Sequence, residues 1–210
     1  MRGAFAMMAL AGGVLLSANA WATEQQPEKA DGRPKIAAGL MMQQGGKLVM
    51  APCRDRSYAI VEDVSDGQKV VETLNLIGLA EGKHLYAELI GVLDGGSLRA
   101  SDVNMARVAG RCQQPGGGEE NWRAAGTGWS LVASATHLRL NRMGQPDLLL
   151  AAKTQGDDKA AQIDAESTGQ KIGVHLKRER CRDQAANAVF GWTAQVTVDG
   201  KLLQGCAWQR

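Results

Sequence analysis

Strict alternation of apolar and polar residues marks the C-terminal end of the chain. Trp192, Ala194, Val196 and Val198 fall on one face, Thr193, Gln195 and Thr197 on the other. That period of two belongs to a half-buried strand. Asp199-Gly200 follows, a pair suited to the two positive φ values of a type I′ turn. Lys201 to Ala207 then reads as the returning strand. Short strand-like runs recur upstream: Lys47 to Pro52, Arg56 to Val61, His84 to Leu93, Leu98 to Val108, Trp129 to Val132, His137 to Arg142, Asp147 to Lys153 and Lys171 to Arg178. Turn-forming segments separate them, among them Asp94-Gly95-Gly96, Met143 to Pro146 and Gln155 to Asp158. Helical spacing occurs at Val70, Val71, Leu74 and Ile77. It predicts a helix over 67–76, capped by Ser65-Asp66 and ended by Gly78 and Gly82.

These elements predict a mainly β chain with one short helix. Strands around a small helix over residues 35–112 suggest a small OB-like barrel. Gln113 to Glu120 (QQPGGGEE) reads as a linker. Residues 121–210 form a second antiparallel β-sheet or small barrel domain, expected to hold about six strands. Ahead of both, residues 23–34 are polar, without apolar period, and read as a flexible leader.

Residues 1–22 carry Arg2, an apolar run from Ala4 to Leu16, and Ala20-Trp21-Ala22. This is the layout of a signal peptide cleaved near Ala22. The run is shorter than the ~20 apolar residues a spanning helix needs. The expectation is therefore a periplasmic or secreted protein with no integral membrane segment after cleavage. Charge adds little: 24 Lys and Arg against 22 Asp and Glu over 210 residues. A near-neutral chain has no general pull toward nucleic acid. The four cysteines, Cys53, Cys112, Cys181 and Cys206, form an even set, which in an oxidising compartment implies two disulfides. Of the three possible pairings their order favours Cys53–Cys112 and Cys181–Cys206. Each would add roughly 3–4 kcal/mol in the chain-entropy picture. C-x2-C and H-x3-H spacings are absent, so neither zinc nor any other metal or cofactor is expected.

Several features together resemble a known family. They are Gly126 and Trp129, Gly144 to Asp147, C-R-D at Cys181 to Asp183, and D-G-K-x-L-x-G-C-A at Asp199 to Ala207. Over residues 121–208 the chain resembles an uncharacterised family of exported bacterial proteins, lipoproteins related to NlpE and META domains. Ala51 to Tyr58, Tyr86 to Gly91 and Gly110 to Cys112 are similar to the OB-like domain that accompanies such modules. The loop after C-R-D (Gln184 to Trp192) and the segment Arg123 to Gly128 depart from the family pattern. The resemblance implies a fold and an exported location, and no activity.

Candidate chemistry is sparse. G-x-S-x-G is absent and disulfides would leave no thiol nucleophile. His84, His137 and His175 are far apart in sequence, although His137 and His175 could face each other across strands. Glu119-Glu120 and Asp157-Asp158 read as solubilising turns, since a glycosidase pair needs rigid spacing. Gly116 to Gly118 lack a following G-K-[ST] and read as linker. Met41, Met42 and Met50 read as packing residues in preference to a copper site. Trp192 is expected in the core. Trp208, near Arg182, Asp183 and Arg210, suits contact with a protein or glycan, so Arg182, Asp183 and Trp208 form the candidate binding surface. The functional expectation is a non-enzymatic, exported binding or envelope-associated protein whose partner is an envelope protein or glycan. The alternatives are an inhibitor of a lysozyme-type hydrolase, using the loop from Asp183 to Ala188, and an envelope stress or copper-related protein.

Overall fold

The computed structural model describes residues 32–54, 57–112, 120–167 and 169–210. The expected signal peptide, the expected leader up to residue 31 and residues 113–119 of the expected linker lie outside these residues. The described chain is all-β apart from one short helix, and it forms two closed barrels.

The first barrel contains β1 (Lys35–Gln44), β2 (Lys47–Pro52), β3 (Ala59–Asp63), helix α1 (Lys69–Leu76), β4 (His84–Asp94) and β5 (Ser97–Arg107). Pairing runs β5-β3-β2-β1-β4, and a further β4–β5 ladder closes the ring. The β3–β5 pair is parallel; the other pairs are antiparallel. Five strands in this order, with the helix between the third and fourth, make an OB-like barrel. Strand alternation sends Met41, Met50, Val61, Leu85, Leu89 and Leu98 inward. Val70 and Leu74 of α1 pack against them. The expected helix exists, and Ser65 caps its first turn as expected, while Asp63 takes the place expected of Asp66. Val70 N–H donates to Ser65 Oγ at 3.1 Å and Val71 N–H to Asp63 Oδ2 at 2.8 Å. Asp66 lies instead in a 3-10 turn over Asp66–Gln68.

The second barrel is an up-and-down meander. Its strands are β6 (Glu120–Gly126), β7 (Trp129–Ser134), β8 (His137–Arg142), β9 (Leu148–Gly156), β10 (Ala160–Ser167), β11 (Gln170–Lys177), β14 (Trp192–Val198) and β15 (Lys201–Gln209). The β15–β6 ladder closes it. Eight strands replace the expected six, because β6 and β10 were not legible as strands. Both are rich in alanine, a poor strand former. The expected hairpin stands as read: Asp199 and Gly200 have φ of 49° and 78°, and β14 pairs with β15 around them. Trp192 is buried and meets Trp122 edge-on with ring centroids 4.7 Å apart.

Between β11 and β14 the chain leaves the second barrel. β12 (Cys181–Asp183) and β13 (Ala188–Phe190) form a small hairpin, and β13 pairs with β5 of the first barrel. A strap emitted by one barrel thus extends the sheet of the other. Ala188, Val189 and Phe190 are all buried, so no alternation betrays this strand in sequence.

Candidate functional site

Outer faces of antiparallel barrels are normally polar where they meet water. In the first barrel this rule fails locally. The runs Leu40-Met41-Met42, Leu48-Val49-Met50 and Tyr58-Ala59-Ile60-Val61 are apolar on both faces. Alternation buries Met41, Met50, Ala59 and Val61 and turns Leu40, Met42, Val49 and Ile60 outward. Met42 lies opposite Val49, and Val49 opposite Ile60, so the three form a row across β1, β2 and β3. Ile60 is 45% exposed and Tyr58, just before β3, is 67% exposed.

This row borders a cleft of about 800 Å³, lined by Leu40, Met42, Val49, Tyr58, Lys83 and His84 together with the β1–β2 tip and Glu81-Gly82. The far wall is the connection between α1 and β4. It is fastened to the β1–β2 tip by a bridge between Gln43 and Glu81 and by Gly45 N–H donating to Glu81 Oε1 at 3.0 Å. The cleft therefore has an aromatic and aliphatic floor and a wall carrying Lys83 and His84. It sits on the strand 2–3 face and beside the first loop, the region where OB folds hold extended ligands. Tyr58, Ile60 and Val49 were not singled out in the sequence, and Met42, read there as a packing residue, lies half-buried on the outer face. The signal was the apolar residues at outward positions, which β1, not recognised as a strand, concealed.

The expected binding surface lies elsewhere, at the seam between the barrels. Trp208 is half-buried and packs on Phe190 with centroids 5.0 Å apart. Together with Tyr86, Met105, Ala188 and Cys206 it belongs to a cluster that joins the two barrels. Asp183 accepts a hydrogen bond from Ala186 N–H at 3.0 Å and closes the β12–β13 turn. Arg182 is exposed on β12. The loop after Asp183 is a four-residue turn, held to the first barrel by Val108 N–H donating to Asn187 O at 3.5 Å. Both disulfides form as Cys53–Cys112 and Cys181–Cys206. The second joins the strap to β15.

Polar groups deepen the seam. Glu88 on β4 is 3% exposed. Its carboxylate accepts from Tyr86 Oη at 2.7 Å and from Asn104 Nδ2 at 2.8 Å, and pairs with Arg210 at 3.5 Å. Asn104 also donates to Gln209 O and accepts from Gln209 N–H, both at 2.9 Å. Burial, and then the hydrogen bond to Glu88, hold the Tyr86 phenol far above its usual range. At the rim Arg178 pairs with Asp102 at 2.6 Å and Arg180 with Glu72 at 3.2 Å.

The remaining candidates disperse. His137 on β8 and His175 on β11 are separated by β9 and β10 and do not face each other. His137 Nδ1 bonds Thr136 Oγ1 at 2.8 Å. Asp157 accepts from Lys159 and Ala160 N–H in the β9–β10 turn, which lowers its pKa although it is fully exposed. Glu120 pairs with Arg123 at 2.7 Å. Met41 and Met50 are core residues of the first barrel. Among the described residues no cluster of three His, Cys, Asp or Glu is placed to hold a metal, and no helix is long and apolar enough to cross a membrane. In comparison with known proteins, the chain matches no family, no curated protein sequence and no solved structure.

Proposed function

We propose that this is an exported, non-enzymatic binding protein, periplasmic after loss of residues 1–22, which takes an apolar segment of an envelope protein into the cleft of its first barrel. The observation that carries this reading is the row Met42–Val49–Ile60 with Tyr58 beside it, Ile60 and Tyr58 exposed and Met42 and Val49 half-buried, flanked by a fastened wall. Aromatic and aliphatic side chains grouped in a cleft are what dominates binding energy at protein interfaces. The walls hold one cation and one histidine, which suits a partner with mixed polarity at its edges and does not favour a polyanion. Glu81 is committed to holding the wall through Gly45, a positioning role. The two disulfides fit an oxidising compartment, and the resemblance of residues 121–208 to exported NlpE- and META-related proteins points the same way.

The test is capture from periplasmic extract by the mature, oxidised protein and by its Tyr58→Ser/Ile60→Ser variant. Leu149→Ser, which removes an apolar side chain 62% exposed on the second barrel, serves as the control. The reading requires a partner retained by the parent and the control and lost by the double variant. Equal capture by all three would sink it.

A further inference from the structure

The end of the second barrel farthest from the first carries an arginine where alternation calls for an apolar residue. Leu138 and Leu140 of β8 point into the barrel and are fully buried. Arg142, two residues on, keeps that phase, and it lies opposite the buried Trp129. Lys201 does the same on β15, opposite the buried Val198. Gln170 occupies the equivalent inward position at the start of β11, two residues before buried Ile172. With Gln145, Pro146, Leu148, Val198 and Asp199 these side chains line a cleft of about 380 Å³ at the barrel mouth. Its full charges are two cationic against one anionic.

Arg142 is incompletely satisfied. Its Nε is buried and has no hydrogen-bond acceptor. A buried donor left unpaired is destabilising, and such groups are rare enough to need a reason. A guanidinium is a planar fork that matches a carboxylate through two parallel hydrogen bonds. Mouths of β-barrels are also a recurrent place for small ligands. Beneath the cleft, Leu140, Leu150 and Ile172 fill the interior, as eight strands permit. A ligand must therefore be short.

We propose that the mouth of the second barrel binds a small aliphatic carboxylate, its head on Arg142 and Lys201 and its short body against Leu148, Pro146 and Val198. This site is separate from the cleft of the first barrel and independent of it.

The test is a titration of the ¹⁵N-labelled mature protein with sodium pentanoate, followed through the Arg142 side-chain Nε–Hε signal and the amides of Gln145 and Val198 to Lys201. Pentanamide and inorganic phosphate are titrated in parallel. Saturable shifts with pentanoate that neither control reproduces are the expected result, with at least about tenfold weaker binding in Arg142→Gln. An equal response to pentanamide or to phosphate would overturn the proposal, as would unchanged pentanoate affinity in Arg142→Gln. Should that variant fail to fold, Lys201→Gln at the exposed turn replaces it. It must weaken pentanoate binding several-fold, and unchanged affinity there also refutes the site.

Discussion

Trp129 shows how single residues set the geometry. Its indole lies over Gly126 and Gly205, where an added Cβ would come within 2.4 Å of Trp129 Nε1 and 2.7 Å of its Cζ2 respectively. At Gly205 the same Cβ would stand 2.1 Å from the Ala125 carbonyl oxygen, so backbone and ring would both have to move. Gly205→Ala should therefore cost about 1–3 kcal/mol, read as a lower urea midpoint at unchanged slope. The glycines of G-x-x-W and G-C-A were visible as motifs, while their common purpose required the β6–β15 pairing. Tyr86 makes a second residue-scale prediction. Its folded pKa is raised above 10.0, so the folded state holds its proton more firmly than the unfolded chain. That contribution is complete below about pH 10 and declines as pH rises above it. The chain has two tyrosines. In a Tyr58→Phe background, the phenolate absorbance of Tyr86 should rise together with loss of far-ultraviolet ellipticity. Ionisation while the fold stays intact would show that the phenol is not held by the seam.

Elements were legible in proportion to how cleanly their two faces differ. β14 alternates without exception and its turn carries the residues a type I′ geometry demands, so both were readable. β10 buries Ala161, Ile163 and Ala165, a face too small-sided to stand out, and it escaped notice. β1 escaped for the opposite reason, since Leu40, Met41 and Met42 are apolar in succession. The helix was readable from its spacing and Ser65 as a cap, but the second capping group was not, because Asp63 reaches the helix from the end of β3. Asp63 also accepts the Ser65 N–H at 2.9 Å, which steadies the second cap. Asp63→Ala should destabilise the protein by about 1–2 kcal/mol, with faster amide exchange in Val70 and Val71. Asp66→Ala should have a smaller effect on both.

The whole molecule is organised by a seam that no local pattern announces. The outward residues of β4 and β5, among them Tyr86, Glu88, Asn104 and Met105, are covered by the strap and by the end of β15. Arg182, Asp183 and Trp208 drew attention as a surface because the strap's pairing with β5 spans more than 80 positions in sequence, beyond the reach of periodicity. With that side of the first barrel occupied, its exposed apolar face is the one across β1, β2 and β3. A partner docked on this face would lie against Ile60, and site-specific photocrosslinking reports that contact itself. A photoreactive phenylalanine analogue placed at Ile60 in the full-length protein should yield one discrete adduct on irradiation of intact cells, absent when the analogue stands at Leu149. No adduct from position 60, or the same adducts from both positions, would contradict it.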